Sequence, residues 1–426
     1  MRERKSKSIE SPLLVYRSVG ATPVQIGELN FLDDTGGQFI AEFRYAQSYY
    51  DRPDAYAIDP LNLPLSAPGR VFSTASRYHV LGSLFDAAPD AWGRRIIMAD
   101  QGVSQSTEKN IFLKGKGVGV GEIYFTAGPL EIVPATPKLA RIAQIEALAA
   151  PIRLLDEAST FDAAWKDLLV SSWDIGGARP KAIVRDEDGE EWIAKFPRKH
   201  ESFDRQRAEW ANLEMAADIG MQVPRRQLIE TAHGAVLLVK RFDRASGERR
   251  HYLSAAALIS PSPSIDKRDI DAPVGQAVFS YARIADVIQR ISSNPSQDLQ
   301  ELFARMVFNV MSHNVDDHLK NIGFLRDPGM RDTYRLAPLF DVVTQEGSAK
   351  HMLRVGIQGR TSTLGNALSD IRRMRIKPAA ATAILSKARA VFDQRAGYYR
   401  RAGLGDTEVA AIERCLIWLH DDESDQ

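Results

Sequence analysis

The stretch HNVDDHLKNIGFL, residues 313–325, sets two aspartates, two histidines, a lysine and two asparagines within nine positions and then runs directly into apolar residues. Its apolar end and YRLA (334–337) flank RDPGMRDT, so the two runs read as a hairpin whose turn comes from Asp327, Pro328 and Gly329. The hairpin leads into PLFDVV (338–343), which places Asp341 at a strand end. Closure of the hairpin brings Asp316, Asn321 and Asp341 together. Hard oxygens from carboxylates and an amide suit Mg²⁺, which keeps several waters and binds phosphate. In kinase-type phosphoryl transfer, Asp-x-x-x-x-Asn separates the aspartate that takes the hydroxyl proton from the asparagine that helps hold metal. A second metal-holding aspartate lies farther on, a role open to Asp341. Taken alone, the Asp316–Asn321 spacing equally fits a polar loop that ends a helix before a hairpin.

Other segments bear on that choice. A kinase-type site needs a strand lysine for the phosphates and a glutamate on the next helix to orient it. EEWIAKF (190–196) puts Lys195 inside an apolar strand, where an unpaired ammonium is costly. Glu209 follows on the helical run DRQRAEWANLEMAADIG (204–220), four residues before Leu213 and near the buried face. Pairing Lys195 with Glu209 accounts for both; an edge lysine extending to solvent beside an exposed glutamate is the alternative. Upstream, DIGGARPKA (174–182) precedes a candidate strand. Gly176 and Gly177 permit close backbone approach and a phosphate-cradling nest, although a plain turn uses glycines in the same way.

The chain of 426 residues is long enough for two or three subdomains. With 44% hydrophobic and 26% charged residues it reads as ordinary globular protein, and 55 basic against 55 acidic side chains leave no overall pull toward nucleic acid or membrane. One cysteine, Cys415, rules out an intramolecular disulfide and a cysteine-rich zinc site. The basic start MRERKSKSIES is followed by no apolar core of signal-peptide length, and no window approaches a membrane span, so a cytoplasmic location is expected.

Residues 1–140 open with three alternating segments, LLVYRS, VQIGELNF and QFIAEFRY, with DDTGG as the turn between the last two, and they read as a small antiparallel sheet. A helical stretch interrupted by Pro89 and a candidate strand EIYFTAG follow. Residues 141–245 carry KAIVRD, EEWIAKF, the Glu209 helix and AVLLVKRF, in the order strand, strand, helix, strand. Residues 246–426 read mainly as helices, among them SYARIADVIQRI and DLQELFARMVFNVM. In the second, Leu302, Phe303, Met306, Val307, Val310 and Met311 recur at helical spacing, and that helix ends just before the opening motif. The fold class expected is α+β: a β-rich first subdomain, a sheet with one buried helix, and a helical lobe, with the nucleotide between the last two.

In this order GGARPKA, WIAKFP, VKRFDR, NVDDHLKN and PLFDVV resemble the HipA family of toxin kinases, over nearly the whole chain. Asp316, His318 and Asn321 are also similar to the catalytic loops of phosphatidylinositol kinases, which puts the expected fold in the two-lobed protein-kinase-like class. The resemblance implies that Asp316 is the catalytic aspartate, that Asn321 and Asp341 hold Mg²⁺, and that Lys195, oriented by Glu209, binds the ATP phosphates. It counts Gly176, Gly177, Ala178 and Lys181 among the nucleotide-binding positions and sets Lys240, Arg241 and Phe242 at the adenine-side hinge. His318 and Lys320 fall in the loop beside the phosphates, where His318 is equally readable as a structural histidine. Well-known members carry a regulatory serine just before the glycine turn. Here that place is Asp174, with Ser171 and Ser172 slightly upstream, and one carboxylate charge mimics a phosphoserine only in part.

The activity implied is that of an ATP- and Mg²⁺-dependent serine/threonine protein kinase, the toxin of a toxin–antitoxin pair, with an aminoacyl-tRNA synthetase as the substrate class. A HipB-like DNA-binding antitoxin is the implied partner, and DNA is met only through that complex. IRRMRIK (371–377) and AGYYRRAGL (396–404) give basic character to the C-terminal helices, either as a phosphate-facing surface or as a solvated helix face. Two other readings stand beside this one: a kinase fold acting on a small molecule or lipid, and a regulatory partner of an antitoxin without transfer activity.

Overall fold

Alternating apolar residues produce β1 (Leu13–Val19), β2 (Thr22–Thr35) and β3 (Gln38–Tyr45), and the chain adds β4 (Val71–Ser73) and β5 (Ile123–Thr126) at the edges. The computed structural model describes residues 11–20, 22–35, 38–75, 81–115, 119–132, 139–158, 177–245, 247–259 and 270–416. The strand order is β4-β3-β2-β1-β5, antiparallel throughout. Leu13, Val15, Val24, Ile26, Leu29, Phe43 and Tyr45 are buried in a core shared with Tyr49, Tyr56 and Phe112.

A second sheet holds β6 (Ala140–Arg141), β7 (Lys181–Arg185), β8 (Glu191–Lys195), β9 (Arg226–Thr231) and β10 (Gly234–Lys240), in the order β6-β7-β8-β10-β9. Only the β6–β7 pair is parallel. On one face, Ala182, Val184, Trp192, Ala194, Val236 and Leu238 form a core with helices α1 (Ala91–Gln101) and α2 (Ile145–Ala158). The sequence reading of strand, strand, helix, strand omitted β6, β9 and α2.

The other face takes helix α3 (Arg205–Ile219). Asp204 caps it by accepting the amides of Gln206 and Arg207, and Gly220 ends it at φ +100°, where a side chain would be strained. The opposite side of α3 is buried too. Ala208, Ala211, Leu213, Met215 and Ala216 join one core with α4 (Tyr281–Ile291), α5 (Pro295–Met311), α6 (Pro378–Phe392) and α7 (Arg395–Arg401). The six apolar residues read on α5 are all buried, and the helix ends at Met311. α3 therefore lies between the sheet and the helical lobe.

A small hairpin, β11 (Arg244–Ala245) with β12 (Glu248–Arg249), precedes the third sheet. That sheet contains the expected hairpin, β14 (Gly323–Arg326) with β15 (Tyr334–Leu336), together with β13 (Tyr252–Ser254). Two expectations are corrected here. Asp341 is not at a strand end: β15 stops at Leu336, and residues 337–343 run irregularly because their hydrogen bonds go to other elements, as when the Leu339 amide donates to Gln222 O at 2.7 Å. The run 371–377 forms turns rather than helix, with Arg372, Arg373, Arg375 and Lys377 exposed.

Gly323 opens β14 two residues after Asn321, and a Cβ there would stand 2.3–2.8 Å from the Tyr252 ring. Gly323→Ala is expected to destabilise the protein by about 1–3 kcal/mol, read as a lower melting temperature in calorimetry.

Candidate active site

Strands β7 and β8 pair in a register that sets Lys181 directly opposite Lys195. Opposed residues project to the same face, and like charges in that position destabilise a sheet unless anions match them. Glu209, buried on α3, accepts from Lys195 Nζ through both oxygens at 2.6 and 2.9 Å, and Asp341 Oδ1 accepts at 2.8 Å. Glu209 Oε1 also accepts the amide of Asp341 at 3.2 Å. Sheet, helix and the 337–343 segment thus meet at one ammonium. Asp341 sits at φ +60°, a left-handed conformation that aspartate tolerates better than most residues.

The electrostatics follow this geometry. Burial pulls the Lys195 pKa down, but the Asp341 and Glu209 carboxylates outweigh it and hold the group charged well above the ordinary range. The Lys195 ammonium, with Lys181 assisting and burial opposing, keeps the Asp341 carboxyl well below the usual carboxylate range. Burial lowers the Lys181 pKa to about 8, helped by the Lys195 charge and opposed by Asp341 and Glu209.

Residues 312–322 cross in front of this cluster. Asp316 faces outward while Asp317 is buried. The Asp316 carbonyl accepts the His318 amide at 2.9 Å and Asn321 Nδ2 at 3.0 Å, which leaves the Asn321 oxygen for a cation. Desolvation, joined by the carboxylates of Asp341 and Asp317, raises the Asp316 pKa against the opposing charges of His318 and Arg205. Lys320 Nζ donates to Asp90 Oδ2 at 3.0 Å, and the same oxygen accepts the Gly177 amide at 3.2 Å. Asp90 caps α1, whose Trp92 donates its amide to Gly177 O and its indole N–H to Lys181 O, both at 2.9 Å. The first turn of α1 therefore brackets the glycine turn.

Residues 173–396, more than half of the chain, match the family described as HipA-like C-terminal domain. This chain belongs to the HipA family. Its fold matches HipA from the Shewanella oneidensis MR-1 complex of HipA, HipB and operator DNA, with a TM-score of 0.68 at 19% identity over 96% of this chain and 95% of that one. At that identity the likeness establishes the α+β HipA fold. The Sinorhizobium fredii protein named "Putative kinase Y4dM" is 28% identical over 170 residues, 37% of this chain and 38% of the relative. The alignment thus spans well under half of that relative.

Of the positions taken from the HipA resemblance, Gly177, Lys181, Lys195, Glu209, Asp316, His318, Lys320, Asn321 and Asp341 gather around the cluster. Ala178 is present in the glycine turn, and its carbonyl accepts from Arg198. Gly176, Ser171, Ser172 and Asp174 lie outside the described residues. The hinge residues behave differently. Lys240 pairs with Glu190 at 2.9 Å, and the Arg241 guanidinium turns into a buried network with Asp243, Glu191 and the Gly119 carbonyl. Their amides donate to Arg225 O and Glu191 O. Phe242 faces the ring of Phe340, the neighbour of Asp341. Asp90 and Asp317 escaped sequence reading: Asp90 shows only as a helix start 230 positions from Lys320, and Asp317 is masked by the residue beside it.

Lys181 carries its charge below pH 8 and loses it above. Affinity for a nucleoside triphosphate should weaken as pH rises through that value, and Lys181→Arg should flatten the dependence; titration calorimetry across the range checks both.

Proposed function

We propose that this HipA-family chain is an ATP- and Mg²⁺-dependent serine/threonine protein kinase acting as the toxin of a toxin–antitoxin pair. The observation that carries the reading is the Lys195–Glu209–Asp341 cluster, with Asp316 and Asn321 presented on the loop in front of it. The residues fit the cofactor. Among the described residues no three His, Cys, Asp or Glu side chains gather into a metal-binding group. The Asn321 amide oxygen and the Asp341 carboxylate, hard donors of the kind magnesium prefers, would hold the ion beside the phosphates. Bound Mg-ATP supplies the phosphoryl group and divalent charge. Lys195 and Lys181 bind phosphate oxygens, and Gly177 lets the backbone approach, since a Cβ there would stand 2.6 Å from Lys181 Nζ. Asp316, with its raised pKa, accepts the proton of the acceptor hydroxyl and orients that oxygen.

A HipB-like DNA-binding antitoxin is the proposed partner, supported by the solved HipA–HipB–operator complex of like fold. An aminoacyl-tRNA synthetase is the proposed substrate class and the cytoplasm the proposed site of action, both resting on the family resemblance. No helix among the described residues is long and apolar enough to cross a membrane. We place subdomain boundaries near residues 140 and 245.

Asp316→Ala should cut label transfer from Mg-ATP into protein by roughly 10²–10⁴-fold while ATP affinity is kept. Equal labelling by wild type and variant would sink the reading. With Asp174 where a regulatory serine is expected, mass spectrometry after Mg-ATP incubation should find phosphate on Ser171 or Ser172; phosphate on neither removes a relocated switch.

A further inference from the structure

Among the described residues Asp317 is one of the most fully enclosed carboxylates, 2% exposed, yet it adjoins Asp316, which faces solvent. It accepts hydrogen bonds from two other parts of the chain. Its Oδ2 accepts the Tyr281 O–H of α4 at 2.6 Å, and its Oδ1 accepts the Met352 and Leu353 amides at 3.0 and 3.4 Å. His351 Nδ1 stands 3.0 Å from Oδ2, and its Nε2 is 2.9 Å from Ser362 Oγ. Burial and the Asp317 charge push the Tyr281 phenol well above its usual range, so it stays a donor. Tyr281 in turn accepts from Asn309 Nδ2 of α5 at 2.9 Å, and Asn309 Oδ1 accepts from Asn314 Nδ2 at 3.0 Å. The Ser362–His351–Asp317 line has the residue types of a nucleophilic triad, but Ser362 is 1% exposed and sealed from any substrate.

We infer that Asp317 is a positioning residue for phosphoryl transfer: clamped by Tyr281 and the 351–353 backbone, it sets the direction of Asp316 and, through the Asp316 carbonyl, of Asn321. This rests on the kinase reading and deepens it. Three links carry the coupling. Side chains at 316 and 317 leave one backbone in opposite senses, so holding one inside turns the other out. The Asp316 carbonyl receives both the His318 amide and the Asn321 side chain, so a shift of the peptide moves both. The buried carboxylate cannot wander, because leaving any of its donors unsatisfied costs free energy in a site closed to water. Lys195, Lys181 and Glu209, by contrast, hang on β8, β7 and α3 and make no contact with Asp317. Loosening the clamp should therefore slow the chemical step far more than it weakens nucleotide binding, which keeps Asp341 and both lysines.

The test compares wild type, Asp317→Asn, Tyr281→Phe, the double variant and Asp316→Asn. Rates of label transfer from γ-labelled Mg-ATP into the protein of an ATP-depleted cell extract, measured against ATP concentration, give kcat and KM, with melting temperatures recorded alongside. Tyr281→Phe should lower kcat by about tenfold and Asp317→Asn by about 100-fold, the scale of an ångström-level misplacement. KM for ATP should stay within about twofold, and the double variant should be no slower than Asp317→Asn, since both changes open one clamp. Wild-type kcat in both single variants overturns the inference, as does a loss of kcat matched by a rise in KM. If Asp317→Asn does not fold, the kcat and KM of Tyr281→Phe decide alone. The control separates the two levels. Transfer lost in Asp316→Asn but intact in the clamp variants defeats only the positioning role. Transfer intact in Asp316→Asn, or absent from wild type, defeats the kinase reading and this inference with it.

Discussion

The Lys195 ammonium, held by Glu209 and Asp341, is the constraint on which the rest of the structure depends. Taking an ammonium and a carboxylate out of water costs several kcal/mol each, and only close, complete pairing repays it. The pairing has to be built from three distant pieces of chain: an inner strand of a sheet, a helix buried on both sides, and a segment that follows a hairpin. α3 can present Glu209 inward only because one side of it packs on the sheet and the other on α6 and α7. Removing either carboxylate leaves two lysines opposed on adjacent strands.

The same economy governs the loop in front. Two non-glycine residues in left-handed backbone, His313 at φ +52° and Asp341 at φ +60°, bracket the site. Such conformations persist where neighbours over-determine them, and they cluster where function needs a fixed direction. His313 is held by a 2.8 Å contact between Nε2 and Ser348 O, and Asp341 by Lys195 and Glu209. Rigid support beneath, charged groups above and solvent access at Asp316 together make an arrangement suited to aligning a hydroxyl with a phosphoryl group.

Much of the architecture was legible. Period-two alternation marked β1 to β3, helical spacing marked α5 to its last residue, and the helical run 204–220 covers α3. What escaped had weak local signals. β6 is two residues long and pairs in parallel with a distant strand, β9 has no alternating apolar face, and α2 contains Pro151. The HipA resemblance sets Arg241 at the hinge, but the buried network of its guanidinium has no local signal. Its partners at Gly119 and Glu191 lie far enough away along the chain that no window contains them.

The sequence by itself determined the inventory of the site: a strand lysine, a helix glutamate, an Asp-x-x-x-x-Asn loop and a later aspartate, in an order recognisable as that of the HipA family. Local chemistry sufficed for this, because strand period, helix caps and turn residues are written within windows of a few positions. The Lys195–Glu209 pair was legible in the sequence, whereas tertiary structure alone decided how the more distant charges meet. Asp90 reaches across 230 positions to Lys320, and Asp317 rather than Asp316 turns inward to Tyr281. Pairing across such distances is a property of closed space, set by which surfaces exclude water together, and no local window of sequence encodes it.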